Sequence, residues 1–244
     1  MSRTVTLVTL AIVIVAIGIV FAQGPGPRPG GGGRGGMGGP GGGGSVEQQK
    51  DPVAKDAEEK AILDILADMN KNQSGGMMNV SPADGRLIRM LVESTDAKKA
   101  VEIGCSNGYS AIWTCLGLRK TGGKLITHDM DEGRSKLARE NFKKSGVDGI
   151  VTLIFGDAHE TVKKLEGPID ILFIDADKEG YGDYLKQLLP KVRPGGLILG
   201  HNTAMARGND GMGGFIEAIT TNPDLDTLFL NPGGQGMSLS IKKR

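Results

Sequence analysis

The sequence predicts a doubly wound α/β domain: a parallel sheet with helices on both faces, closed by a C-terminal antiparallel hairpin. Three observations carry this. Between residues 100 and 199, short apolar runs alternate with amphipathic stretches of helical length, the pattern of successive βαβ units. The inner runs, IDILFID at 169–175 above all, are apolar almost throughout, as strands covered on both faces must be. The last two runs, 227–230 and 237–241, are joined by NPGGQG, which suits an antiparallel turn.

Ahead of the domain, residues 4–22 are 19 uncharged, mostly apolar residues behind Arg3. At about 1.5 Å per helical residue they reach roughly 28 Å, close to a bilayer core. Residues 1–22 are therefore expected to be a signal peptide or a membrane anchor. Val20 and Ala22 stand where a signal peptidase wants small residues, so a cleaved signal and an uncleaved anchor both fit. Arg3 on one side, with Arg28 and Arg34 on the other, leaves orientation open. The domain is expected to be exported or anchored on the periplasmic or extracellular side, a cytosol-facing anchor being the alternative. Residues 24–44 hold 14 of the 40 glycines and 4 of the 11 prolines. Residues 23–49 thus read as a disordered linker, with too little apolar surface to offset the entropy of ordering.

Residues 50–244 remain, a length that suits one domain with a sizeable core. A balance of 29 Lys+Arg against 28 Asp+Glu excludes a strongly basic nucleic-acid binder, so the partners are expected to be small molecules. Membrane contact is expected only through residues 4–22. Two cysteines, Cys105 and Cys115, exclude a disulfide scaffold and any zinc site of three or four thiolates, and both read as free, buried thiols.

Apolar residues at Ala54, Ala57, Ala61, Ile62, Ile65, Leu66 and Met69 recur near a 3.6 period and predict an amphipathic lead-in helix. Ser81-Pro82, a cap followed by a first-turn proline, opens a second helix to about residue 94. Strands are then expected at 100–103, 124–127, 151–155, 169–174 and 196–199, and helices at 109–118, 133–145, 158–165 and 181–189. In such a sheet the ligand crevice lies at the carboxyl ends of the strands.

The chemistry gathers at those ends. The first strand runs into VEIGCSNGYS at 101–110, a Gly-rich turn before a helix N-terminus, where a nucleotide-like ligand can approach the backbone. Gly104 and Gly108 are four apart, which does not match the dinucleotide fingerprint and disfavours a nicotinamide-dependent oxidoreductase. Asp129, at the tip of the second strand, is placed to accept hydrogen bonds from two ribose hydroxyls, while Asp131 suits a helix N-cap. Asp157 and Ala158, after the third strand, are candidates for holding an adenine edge. Asp175, Asp177, Lys178, His201 and Asn202 emerge together after the fourth and fifth strands. Carboxylate, amide and imidazole can ligate a divalent cation, the oxygens suiting Mg²⁺ or Ca²⁺ and the imidazole a softer transition metal. Lys178 is a candidate base.

Taken together, these motifs resemble the metal-dependent class I O-methyltransferases, the family of catechol and caffeoyl-CoA O-methyltransferases, over about residues 77–242. MMNVSPADGRLIRMLV resembles the family's lid and first core helix, VEIGCSNGYSA its cofactor loop, and FIDADKEGYGDYL with VRPGGLIL its fourth and fifth strands. The resemblance implies a Rossmann-like class I methyltransferase sheet with S-adenosylmethionine as cofactor. It is expected to be held at Val80, Gly104, Cys105, Asp157 and Ala158, by Glu102 and Ser110 at the methionine end, and by Asp129 on the ribose. The resemblance also implies metal ligands at Asp175, His201 and Asn202, with Lys178 and Asp175 catalytic. One departure stands out: the family's fifth strand ends Asp-Asn, and here it ends His201-Asn202. A nitrogen-tolerant metal such as Mn²⁺, Fe²⁺ or Zn²⁺, weakened metal binding, or metal-free catalysis with His201 as base would each follow, and the first is expected.

The expected reaction moves a methyl group to a hydroxyl of a small, catechol-like or vicinal-diol acceptor, with a divalent metal lowering the hydroxyl pKa and Lys178 taking the proton. The alternative is a non-catalytic module that binds S-adenosylmethionine or a nucleoside beside a degenerate metal site. Residues 203–214, small and flexible, are expected to form the acceptor loop. The lead-in helix offers a surface for pairing with a second copy, as the family's dimers imply.

Overall fold

The computed structural model describes residues 50–206 and 211–244. The expected membrane segment and linker, residues 1–49, lie outside the described residues. No helix among the described residues is long and apolar enough to cross a membrane.

Two helices precede the sheet. α1 (Ala57–Asn72) is capped by Asp56, whose side chain accepts from the Glu59 amide at 2.7 Å, and it buries Ile62, Leu66 and Met69. α2 (Pro82–Ser94) opens with a full capping box: the Ser81 hydroxyl serves the Asp84 amide, and the Asp84 carboxylate returns to the Ser81 amide. Both pack on α3 (Tyr109–Thr121), which is buried along Tyr109–Leu118 and ends at left-handed Gly122.

The sheet has seven strands in the order β3-β2-β1-β4-β5-β7-β6: β1 (Lys99–Ile103), β2 (Lys124–Asp129), β3 (Val151–Phe155), β4 (Ile169–Ile174), β5 (Val192–His201), β6 (Leu225–Leu230) and β7 (Met237–Lys242). β1 to β5 are parallel, and β7 runs antiparallel to both β5 and β6. Alternate strand residues feed two cores. Ala100, Phe173 and Leu199 face α1–α3 and α4 (Glu132–Lys144), whereas Ile103, Leu172 and Ile198 face α6 (Tyr181–Leu188) and α7 (Gly211–Thr221). The strand order reverses between β1 and β4, so their following loops diverge and open a crevice.

Register then decides which residues meet. Ile103 is level with His128 on one side and Ile174 on the other, and Ile174 is level with Gly200. The next residue on each strand therefore places Gly104, Asp129, Asp175 and His201 along one rim.

Three expectations change. β5 begins at Val192 rather than residue 196, because Val192 pairs with Ile169 and the Pro-Gly-Gly that follows is absorbed by a register shift before Leu197. The helix after Asp157 is one α-turn, α5 (Ala158–Thr161), continued as a 3₁₀ turn to Lys164. Of the expected acceptor loop at 203–214, residues 207–210 lie outside the described residues; Thr203–Met205 form a 3₁₀ turn, and from Gly211 the chain is α7, with Met212 and Phe215 buried and Phe215 edge-on to Tyr181 at 5.2 Å.

Candidate active site

A cavity of about 900 Å³ opens at this rim. Val80, Gly104, Cys105, Ser110, Asp129, Asp157, Ala158, Asp175, Lys178 and Asn202 all line it, whereas Glu102 and His201 do not.

The Gly-rich loop has no freedom to carry side chains at its glycines. Gly104 has φ +96°, and a Cβ there would collide with the Asp175 carbonyl oxygen. Gly108, at φ +88°, lies against the Phe142 ring, where a Cβ would come within 2.6 Å. Asp129 secures the loop, its Oδ2 accepting from the amides of Cys105 (3.1 Å) and Ser106 (2.6 Å) and its Oδ1 from Asp131 (2.8 Å). Asp131 caps α4 through the Arg134 amide. The loop is also held from behind by amides that residue spacing did not reveal. Buried Asn141 donates to the Asn107 carbonyl (2.9 Å) and to Gln73 Oε1 (2.8 Å), tying the end of α1 and α4 to the loop.

Glu102, expected at the methionine end, sits one layer behind the cavity at 1% exposure. Its oxygens accept from the Ser110 hydroxyl (2.6 Å) and the Thr127 hydroxyl (2.5 Å). Burial pushes its pKa up to about 7, with the charges of Asp175 and Asp129 acting in the same direction against the two hydroxyls. Its carboxyl thus orients Ser110, which does reach the cavity. Cys105 and Cys115 are free and buried, and burial raises both thiols well above their ordinary range.

Asp157 caps α5 through the His159 amide at 2.8 Å. His159 stacks on Tyr184 at 4.5 Å and pairs with Asp183 at 2.6 Å, which raises its pKa. Both rings line the cavity, and no spacing in the sequence marked them. Met78, Met130 and Met205 line its mouth and are largely exposed. Trp113 packs beside Gly85 between α2 and α3, away from this wall.

At the β4–β5 end, the Lys178 ammonium has three N–H donors shared among four oxygens: Asp175 Oδ1 (3.4 Å), the Ala176 carbonyl (3.2 Å), the Tyr181 hydroxyl (3.1 Å) and Asn202 Oδ1 in a short contact. The Asn202 amide group donates to Gln235 at 2.7 Å. Behind them His201, 1% exposed, lies between two carboxylates. Its Nδ1 is 3.1 Å from Asp175 Oδ2, and its Nε2 is 3.4 Å from Asp84 Oδ2. Burial works to lower the His201 pKa, but the two carboxylates prevail and raise it to about 9. Burial works to raise that of Asp84, yet His201 and Ser81 hold it below the usual carboxylate range.

His201 thus stands behind the cavity wall rather than on it, with Nδ1 toward Asp175 and Nε2 toward Asp84. The oxygens of Asp175 and Asn202 that would complete a metal site face the Lys178 ammonium instead. Among the described residues no group of three His, Cys, Asp or Glu side chains is arranged to hold a metal ion.

A reversed seventh strand, a glycine turn at the switch point and an acid at the second strand tip frame a crevice at the carboxyl ends of the strands. Comparison makes the class specific. The O-methyltransferase family model matches residues 53–209. A catechol O-methyltransferase of Niastella koreensis is 35% identical over 144 residues, 57% of this chain and 65% of that protein. A flavonoid 3',5'-methyltransferase of Vitis vinifera is 36% identical over 143 residues, 56% of this chain and 60% of that one. These alignments thus span less than two thirds of either relative. Among solved structures, an O-methyltransferase from Bacillus cereus in complex with SAH superposes with a TM-score of 0.66 at 28% identity, over 78% of this chain and 93% of that one. An SAH-bound methyltransferase of Podospora anserina gives 0.69 at 26% identity, over 82% and 92%. The chain belongs to the O-methyltransferase family.

Proposed function

We propose that this chain moves a methyl group from S-adenosylmethionine to a hydroxyl of a small acceptor, a vicinal diol or catechol-like molecule. The observation that carries the proposal is that the Lys178 amine lines the same cavity as the Gly104 loop and Asp129. Relatives that share the fold hold SAH. In this chain the cofactor would lie along Gly104, Cys105 and Ser110, its ribose exchanging for some of the loop amides at Asp129 and its base beside Asp157 and Ala158. Bound there, it supplies an electrophilic methyl group on a sulfonium.

The remaining work falls to side chains. The β4 and β5 ends hold the acceptor, and Met78 and Met205 offer it adaptable apolar contact. Lys178, in its neutral form, takes the hydroxyl proton, and the resulting ammonium is held by the four oxygens around it. Holding two reactants in line contributes roughly 7 to 11 kcal/mol, more than the few kcal/mol of proton transfer.

The test is Lys178→Met. SAH affinity by calorimetry should stay within about threefold while turnover falls about 10²-fold or more. Unchanged turnover removes Lys178 from the reaction, and binding of SAH with no methylation of any diol in a broad panel favours the non-catalytic binding module.

A further inference from the structure

We infer that Gln235, on the turn between β6 and β7, is a specificity residue for the acceptor, donating a hydrogen bond to the oxygen next to the hydroxyl that is methylated. The inference rests on the methyl-transfer reading above and deepens it, since it defines the acceptor as a hydroxyl with a hydrogen-bond-accepting oxygen beside it. Gln235 lines the cavity beside Asn202, and one amide orients the other. The Lys178 nitrogen donates to Asn202 Oδ1, as an amine or an ammonium can. The Asn202 NH₂ group is therefore turned to Gln235 Oε1, to which it donates at 2.7 Å. With its oxygen taken, Gln235 keeps two N–H donors on Nε2, which have no partner among the described residues.

The turn itself is fixed in place. The Gln235 carbonyl accepts from the Ala204 amide at 3.1 Å and the Gly236 carbonyl from the Thr203 amide at 3.2 Å, while Asn231 Oδ1 accepts from the Gly236 amide at 3.0 Å. Gly236 has φ +79°, and a Cβ there would come within 2.4 Å of the Ala204 nitrogen; one on Gly233 would come within 2.0 Å of the Ser81 hydroxyl at the α2 cap. Pairing of β6 with β7 needs none of these contacts, because the ladder from Leu225 and Lys242 to Leu230 and Met237 secures it. Their effect is to pin an exposed glutamine between the end of β5 and the start of α2, the segments that bring Asn202 and Val80 to the cavity. A side chain whose main chain is fixed and whose amide oxygen is already bonded loses little rotamer freedom on binding, so most of a new hydrogen bond is retained as affinity. Asp175 Oδ1 and Asn202 Oδ1 meet Lys178, and Gln235 adds an uncommitted donor beside them. A neighbouring hydroxyl, ether or carbonyl oxygen on the acceptor satisfies that donor, and a bare C–H in the same place does not.

The test compares catechol, its monomethyl ether guaiacol, and phenol as acceptors for the full chain, with MgCl₂ in every assay. Wild type should show a kcat/KM for catechol at least about fivefold above that for phenol, which is what one hydrogen bond contributes. Gln235→Met should lose that margin while phenol turnover stays within about twofold and SAH affinity within about threefold. A parallel fall for catechol and phenol, which a residue that only positions Asn202 would give, overturns the inference, as does an unchanged margin. Gln235→Glu keeps an oxygen for Asn202 but has no donor. A hydroxyl can donate to it and an ether cannot, so guaiacol should lose about fivefold or more against catechol relative to wild type; an unchanged ratio also overturns the inference. Absence of methylation despite SAH binding would sink the methyl-transfer reading instead. Calorimetric titration of catechol into the SAH-bound protein then decides: affinity about fivefold weaker in Gln235→Met supports the donor, and equal affinity, or no catechol binding to wild type, overturns it.

Discussion

Replacing Glu102 with glutamine separates a buried support from a ligand-facing acid. The side chain is 1% exposed, and each oxygen accepts one hydroxyl. Folding raises its pKa from 4.5 to about 7, chiefly through burial. The folded state therefore holds this proton more tightly than the unfolded chain does. Its contribution to stability is complete below pH 4.5 and declines as pH rises to about 7. At about 1.4 kcal/mol per pH unit, that decline amounts to about 3 kcal/mol. Glutamine has the same shape and no charge, and its amide group makes one of the two hydroxyls turn to accept, a loss of about 1 kcal/mol. Glu102→Gln should thus be about 2 kcal/mol more stable than wild type above pH 7 and about 1 kcal/mol less stable near pH 4.5. Urea unfolding of both proteins across this range reads the difference directly, and other titrating groups cancel in it. A difference that does not vary with pH would refute the buried, proton-holding Glu102. A wild type that gains on the variant as pH rises would mean that the anion is stabilised, as a cavity-facing ligand group would be.

Two further predictions follow from the site's supports. The His201 pKa of about 9 is raised above its ordinary 6.5, so its contribution is complete below pH 6.5 and lost as pH climbs through 9; thermal melting should decline in that window, and His201→Gln should lack the decline. Asn141→Ala takes the Asn141 donor from the Asn107 carbonyl and leaves half-buried Gln73 only its contact with Asn107, which should cost about 2 kcal/mol in urea unfolding and weaken SAH binding by loosening the cofactor loop, whereas Asn141→Asp should not restore it, since only an amide donates here.

Much of the fold was legible because burial imposes a period. The β4 run is apolar on both faces, α1 alternates at 3.6, and Ser81-Pro82 announces α2; each appears close to its expected bounds. What failed did so for local reasons. GMGGFIEAITT begins with glycines that weaken a helix, yet α7 forms because Met212, Phe215 and Ile219 complete the core beside Tyr181. The Pro-Gly-Gly of β5 reads as a break, yet Val192 pairs before it. In the candidate site, Gly104, Ser110, Asp129, Asp157, Asp175 and Lys178 were legible because the ends of parallel strands must share a rim. Asn141, Gln73, His159 and Tyr184 were not, because an amide or a ring on a helix carries no sign of the loop or partner it will meet.

By itself, then, the sequence determined the alternation of strands and helices, the glycine turn where only a bare backbone fits, and which acids and amines stand at strand ends. These follow from local sterics and from apolar periodicity, both of which read along the chain. Only the tertiary structure decided that Glu102 stands behind the cavity and that buried His201 lies between two carboxylates. The protonation and reach of a side chain depend on charges brought to it through space, and the Asp84 carboxylate that closes on His201 comes from 117 residues away.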